Sequence, residues 1–275
     1  MPGILYLVPT PIGNLGDISE RMAETMAEVD FIAAEDTRVS VKLLNHLEIK
    51  KPMVSYHRHN CDVAGQAILR RLLEGESCAL VTDAGTPAIS DPGEDLVALC
   101  AAHDVDVIAI PGPCALITAL SISGLPTARF TFEGFLPMNK KNRRAHLESL
   151  RQEQRTMIFY EAPHKVTDTL DDFLAVFGGE RRISLCRELT KLHEEVIRTT
   201  LKAAVAYFKE KEPRGEFVLV VEGAQPETVE ADPDAALARV EQLREQGMSL
   251  KDASAQAAAE FGMKKRQLYD MALRK

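Results

Sequence analysis

Short apolar runs alternate with amphipathic stretches over residues 4–123. The runs at 4–8, 31–35, 52–56, 78–82 and 105–110 have the length and composition of strands. Between them the spacing turns helical, as at 19–28 and at 63–74, where Ala64, Ala67, Ile68 and Leu72 recur on one face. Alternation of this kind predicts a parallel or mostly parallel sheet covered on both faces by helices, an α/β unit.

A turn signal at 124–126 opens a second unit. FTFEGF, TMIFYEA, RRISLCREL, EEVIRTTL and EFVLVVEG read as strands within 130–223, with helical stretches near 140–152 and 164–177. RRISLCREL and EEVIRTTL follow each other too closely for a parallel crossover, so they are expected to pair antiparallel. This unit is expected to be α+β or mixed α/β. The acidic, proline-bearing stretch AQPETVEADP (224–233) reads as a linker. Beyond it, 235–246, 250–261 and 264–274 read as three short helices, with Ser249 as a cap and Gly247 and Gly262 as punctuation. Such a trio resembles a helix-turn-helix module. The expected division is 1–124, 125–225 and 234–275.

The chain has 275 residues, 33 Lys plus Arg against 41 Asp plus Glu, and a formal charge of −8. With 45% hydrophobic and 27% charged residues it has the composition of a folded globular protein, which excludes disorder and collagen-like fibres. No apolar run is long enough for a membrane helix, and the first residues lack the basic flank of a secretory leader. Five cysteines, none in a C-x-x-C pair, argue against a disulfide framework or a zinc knuckle and fit small buried thiols in a reducing cytoplasm. No metal is expected, because no His/carboxylate cluster has ligand spacing. The acidic balance speaks against indiscriminate nucleic-acid binding but leaves room for a local basic face.

Candidate chemistry gathers in three loops. PTPIGN (9–14) follows the first strand, DAGTPAISDPG (83–93) the fourth and PGPCA (111–115) the fifth. In a parallel sheet all three leave at the carboxyl edge, where open α/β sheets bind ligands. Glycine and proline let the main chain approach a ligand closely, and the helix starts that follow offer unpaired N–H groups. Neither G-x-x-x-x-G-K-[ST] nor G-x-G-x-x-G after the first strand is present, so a P-loop or dinucleotide fingerprint is excluded.

PTPIGNLGD, AAEDTR (33–38), TDAGTPAISDPG, PGPCALITAL, YEAPHK (160–165), RELTK (187–191) and RGEFVLVVEG (214–223) together resemble the tetrapyrrole-methylase fold family of S-adenosylmethionine methyltransferases. The likeness is strongest to a branch that methylates the 2′ oxygen of a cytidine ribose in 16S rRNA of the small ribosomal subunit. It implies two α/β domains with the cofactor, S-adenosylmethionine, in a cleft between them, plus a small C-terminal helical module. By that resemblance Ile12, Gly85, Thr86, Pro87 and Ile89 border the cofactor. So do Ala115 and Leu116 at the start of a helix, and Tyr160 and Glu216 in the second unit. The family's Gly-Asp-Pro step is Gly85-Thr86-Pro87 here, which removes a carboxylate; Asp83 is the nearest substitute. Homodimers are common among such relatives.

A ribose hydroxyl is a poor nucleophile, so a general base is expected to help. Asp36, Glu35 and Glu161 are candidates, although Asp36 before Thr37 and Arg38 equally suits a helix N-cap. Asp36, Arg38 and Glu161 form the expected catalytic set. Arg187, Lys191 and Arg214 lie in the matching motifs and suit phosphate contacts. In YHRHN, His57 and His59 are read as facing opposite sides of a strand, which separates them, and His57 is taken as an RNA contact. Lys140, Lys141, Arg143 and Arg144 make the most concentrated basic patch, and Lys264, Lys265 and Arg266 with Tyr269 a second. Phe132, Phe135, Phe159 and Phe173 are read as core. Two other readings remain open: a C-methyltransferase of tetrapyrrole precursors, and a catalytically inert RNA-binding protein of the same fold.

Overall fold

The structure is a computed structural model that describes residues 1–225 and 232–274. It divides into a compact unit, Met1–Ala224, and a second, Gln225–Lys275. In the first unit the chain runs β1 (Leu5–Leu7), α1 (Glu20–Glu28), β2 (Phe31–Ala34), α2 (Thr37–His46), β3 (Met53–Ser55) and α3 (Cys61–Leu73). It continues through β4 (Cys78–Val81), α4 (Glu94–Ala101), β5 (Val107–Ala109) and α5 (Ala115–Ile122). Then come β6 (Phe130–Phe135), α6 (Lys140–Ser149), β7 (Thr156–Glu161), α7 (Val166–Phe177), β8 (Arg182–Arg187), β9 (Glu195–Thr200), α8 (Leu201–Glu210) and β10 (Phe217–Val221).

β1 to β5 form one parallel sheet in the order β3-β2-β4-β1-β5. Period-two alternation covers both of its faces. Phe31, Ala33, Cys78 and Leu80 pack on one side with Ile68, Leu72 and Leu96. Ile32, Ala34, Ala79 and Val81 pack on the other with Met22, Met26 and Leu44. The order also decides where chemistry can gather. β4, β1 and β5 are adjacent, so the loops that follow them leave the sheet side by side.

The second sheet has the order β6-β7-β10-β8-β9. β6 and β7 are parallel, and the remaining neighbours, β8 and β9 included, are antiparallel as their short connection requires. One face of it (Met157, Phe159, Leu185, Leu219) is covered by Leu170 and Phe173 of α7 and by Leu201 and Val205 of α8. α8 is hidden in the sequence behind the strand-like run of β9. The other face (Ile158, Cys186, Val218, Val220) receives Leu116 and Leu120 of α5. α5 begins in the third loop of the first sheet and packs on the second, so it joins the two halves of this unit. Arg198 Nε donates to the carbonyl of Ile122 at its end (3.2 Å), and Arg182 Nη2 to that of Gly124 (3.2 Å).

In the second unit α9 (Pro233–Glu245), α10 (Leu250–Glu260) and α11 (Lys265–Leu273) pack Val240, Leu243, Ala253, Ala257 and Leu268 into a small core. Ser249 caps α10, its hydroxyl accepting from the Asp252 N–H. The expected linker falls largely on 226–231, outside the described residues.

Two expectations need correction. His57 and His59 are not on a strand: β3 ends at Ser55, and the two sit in a turn where His57 Nδ1 accepts the His59 N–H at 3.3 Å. Phe135 is not core but 57% exposed, whereas Phe159 and Phe173 are fully buried and Phe132 is half-buried.

Candidate active site

The three proline- and glycine-bearing loops are stitched to one another. Thr10 and Gly85 exchange backbone hydrogen bonds (2.9 and 3.0 Å), which ties the first loop to the second. The Thr86 hydroxyl donates to the Pro113 carbonyl at 2.9 Å, which ties the second to the third. Gly112 closes the ring: a Cβ there would stand 2.9 Å from the Pro9 Cβ, so only glycine lets these turns meet. Gly85, at φ +88, is likewise suited to its sharp turn.

These loops form one wall of a cleft of about 620 Å³, and the second sheet supplies the other. Ile12, Asp83, Gly85, Thr86, Ile89 and Ala115 line it from the first half. Tyr160, Glu161 and Glu216 line it from the second. Pro87 is buried behind the loop and does not line it, nor does Leu116, which points into the core. Leu116 contributes through its backbone, whose N–H donates to the Tyr160 hydroxyl at 3.0 Å. That bond satisfies one of the orphan donors at the start of α5, a helix whose N-cap residue Cys114 gives no side-chain hydrogen bond. Burial holds the Tyr160 phenol well above its ordinary pKa, so it stays a neutral hydroxyl.

Sequence reasoning passed over Phe135 and Asp91, which both line the cleft. Phe135 and Phe132 each meet the Tyr160 ring edge-on, with centroids 5.6 and 4.9 Å away. Asp91 is half-buried, and its burial, with Glu35 nearby, pushes its pKa up to about 6. A perturbed carboxyl in a concave site is a recognised sign of function.

The expected catalytic residues have firm structural duties. Asp36 caps α2, accepting from the Arg38 N–H at 2.8 Å, and pairs with the Arg38 guanidinium at 2.6 Å. Those bonds hold its pKa at about 2. Glu161 is buried; it accepts the Ala162 N–H (3.0 Å) and the Thr169 hydroxyl (2.5 Å). Glu35 accepts the Thr82 hydroxyl at 2.8 Å.

The expected phosphate contacts divide in the same way. Arg143 turns inward to Asp172 (2.5 Å) and Thr169 (2.8 Å). Arg187 pairs with Glu195 (3.1 Å), and Lys191 is held between Glu188 (2.9 Å) and Glu216 (2.8 Å). These three are not free for phosphate. Lys140, Lys141 and Arg144 are exposed, Arg38 has an 88% exposed side chain, and Arg214 is exposed beside Glu212. His57 does not line the cleft. Among the described residues no His, Cys, Asp and Glu group could hold a metal ion, and no helix is long and apolar enough to cross a membrane.

Comparison with known proteins places this architecture. Residues 4–205 match the family Tetrapyrrole (Corrin/Porphyrin) Methylases, and 230–275 match the RsmI C-terminal HTH domain. The chain belongs to the tetrapyrrole methylase family. Ribosomal RNA small subunit methyltransferase I of Synechocystis sp. is 50% identical over 272 residues, 98% of each chain. Its counterpart in Escherichia coli O157:H7 is 47% identical over 275 residues, covering 98% of this chain and 95% of that protein. Among solved structures, the cobalt precorrin-4 methyltransferase CbiF superposes with a TM-score of 0.59 at 16% identity, over 80% of this chain and 94% of that one. This tetrapyrrole methylase is therefore a methyltransferase, with a cleft between its two sheets and a helix-turn-helix unit later in the chain.

Proposed function

We propose that this chain transfers a methyl group from S-adenosylmethionine to the 2′ hydroxyl of a cytidine in 16S rRNA of the small ribosomal subunit. The observation that carries the reading is the cleft: three mutually hydrogen-bonded loops facing a second sheet, in a chain 50% identical to a ribosomal RNA small subunit methyltransferase I. The methyl donor is a cation, and the cleft suits one. Glu35, Asp83, Asp91, Glu161 and Glu216 line it among apolar groups such as Ile12, Ile89 and Phe135.

When bound, the donor supplies a methyl group already activated by its sulfonium. The protein's own work is then placement. Ile12, Gly85, Thr86, Ile89 and Ala115 would hold the donor on the loop side, and Tyr160 on the sheet side. The rigidity of the stitched loops serves alignment, which contributes roughly 7–11 kcal/mol in favourable cases. Asp36 keeps Arg38 in place at the mouth of α2. Arg38, Lys140, Lys141, Arg144 and Arg214 are exposed cations able to meet phosphates without entering the cleft. The few exposed aromatics suit a folded ribonucleoprotein better than a free strand. A homodimer acting in the cytoplasm completes the proposal.

The decisive experiment supplies the protein with methyl-labelled donor and small subunits, then maps the modified nucleotide. Label on a cytidine ribose of 16S rRNA is expected, with weaker labelling of naked rRNA. Label on a base, or none with a donor that binds, would overturn the reading.

A further inference from the structure

The carboxylates first considered as proton acceptors are all engaged: Asp36 by Arg38, Glu35 by Thr82, Glu161 by Ala162 and Thr169. Asp91 stands apart. It lines the cleft, and no cation forms an ion pair with it among the described residues. Its loop is tied to the turn before α3 and passes close to β6. The Arg58 guanidinium donates to the carbonyl of Ser90, and the Ser90 Oγ lies 3.6 Å from where a Cβ on Gly134 of β6 would stand. The backbone is strained there, with Ala88 and Ser90 both at φ 66 although neither is glycine. Such strain persists where surrounding structure over-determines a conformation, and it clusters at functional sites.

Behind Asp91 lies a hydroxyl. Thr82 Oγ, with its single proton, is within hydrogen-bonding reach of both the Asp91 carboxyl and Glu35. Glu35 and Asp91 share that hydroxyl, whose hydrogen bond to Asp91 favours the ionised carboxylate and lowers its proton affinity. A protonated Asp91 can still donate to the Thr82 lone pair, so the hydroxyl positions the carboxyl in both states.

We propose that Asp91 is the proton acceptor for the substrate hydroxyl, with Thr82 and Glu35 as its positioning residues. The inference rests on the methyltransferase reading above. As the ribose oxygen bonds to the methyl carbon, its O–H bond breaks and the proton passes to an Asp91 carboxylate oxygen. The electron pair of the broken carbon–sulfur bond remains on sulfur, so no further reactant is needed. The groups that face Asp91 are Glu35, Asp83, Arg58 and the Tyr160 phenol. Burial and the two carboxylates raise its proton affinity, while the Thr82 hydrogen bond and Arg58 oppose them. A midpoint of about 6 leaves it ionised at neutral pH and still basic enough to act, near the optimum for general-base catalysis. The arriving cationic donor favours the ionised form further.

Asp91→Asn tests this, measured with small subunits as substrate and by calorimetric titration of donor into the free enzyme. We expect turnover to fall by about 10²–10⁴-fold, and donor affinity to fall by a much smaller factor because four other carboxylates still line the cleft. Asp91→Glu should recover part of the turnover. In the donor-free protein the Asp91 carboxyl carbon resonance should titrate with a midpoint near 6, and Thr82→Val should move that midpoint and the acid limb of the turnover profile upward together. Wild-type turnover in Asp91→Asn overturns the inference. So does a loss of donor affinity matching the loss of turnover, which would make Asp91 a donor ligand. If the unaltered protein fails to methylate subunits, the functional reading itself falls, and the resonance still reports whether the carboxyl is poised.

Discussion

Replacing Asp91 by asparagine should make the protein more stable at neutral pH. The carboxyl carries its native pKa up from 3.8 to about 6, so its ionised form is disfavoured in the folded state. The difference, 6 − 3.8 = 2.2, at about 1.36 kcal/mol per pKa step, bounds the penalty at about 3 kcal/mol. The carboxyl is only half-buried and water screens its open side, so about half of that, roughly 1.5 kcal/mol, is the working expectation. The sign follows from proton counting. Between pH 3.8 and 6 the native state holds the proton more often than the unfolded chain, so stability falls as pH rises through this window. Below 3.8 the penalty is absent, at pH 5 roughly half is present, and above 6 it is complete. Asparagine is nearly isosteric and cannot ionise. At about 2–4 °C per kcal/mol for a unit of this size, Asp91→Asn should melt about 3–6 °C higher than the parent at pH 8, with about half that gain at pH 5. Paired calorimetric melts at the two pH values read this directly. A gain that is equal at both, or a loss at pH 8, would refute the claim that the site holds an unfavourable charge.

Three further outcomes follow from the geometry. Thr86→Arg should fill the cleft and remove the bond to Pro113, abolishing donor binding in calorimetry; retained affinity would mean that this loop does not hold the donor. Tyr160→Phe keeps the ring contacts with Phe132 and Phe135 but leaves the Leu116 N–H without its partner, and should lower stability by about 1–3 kcal/mol in urea melts. Leu268→Ala empties the centre of the small helical unit, where Leu268 is fully buried, and should cost about 2–5 kcal/mol. Helical circular dichroism should show the loss, while donor binding by residues 1–224 should persist.

Much of the site was legible because its loops follow strands that the order β4-β1-β5 makes neighbours. Proline and glycine mark those loops in the sequence, and the parallel sheet does the rest. Phe135 was misread for a reason that the pattern conceals. In β6 the register slips between Phe132 and Gly134, so Phe132 pairs with Ile158 and Phe135 with Tyr160. The bulge places Phe135 on the same face as Phe132, toward the cleft, where unbroken alternation would put it opposite. Arg143 was recoverable: it precedes buried Leu147 by one helical turn, which sets it on the inner face of α6. Asp91 was not, because its significance depends on Thr82 and Glu35, which only the fold brings beside it.

The two signs of charge in this protein are segregated, and that arrangement bears on how a polyanion can be modified in an acidic cleft. Glu35, Asp83, Asp91, Glu161 and Glu216 line the cavity, whereas Arg38, Lys140, Lys141 and Arg144 are exposed outside it. An acidic interior attracts a sulfonium but repels phosphate, and the repulsion grows as water is expelled. The Thr86 hydroxyl is spent joining two loops, and the carboxylates come from the end of β2, the loop after β4 and the second sheet. A nucleotide can then present its uncharged ribose edge to the cleft while its flanking phosphates stay with the outer cations. Added salt should therefore weaken rRNA binding far more than donor binding, because only the former depends on displacing counterions from phosphates. Equal salt sensitivity of the two affinities would show that the cations and the cleft do not divide the work in this way.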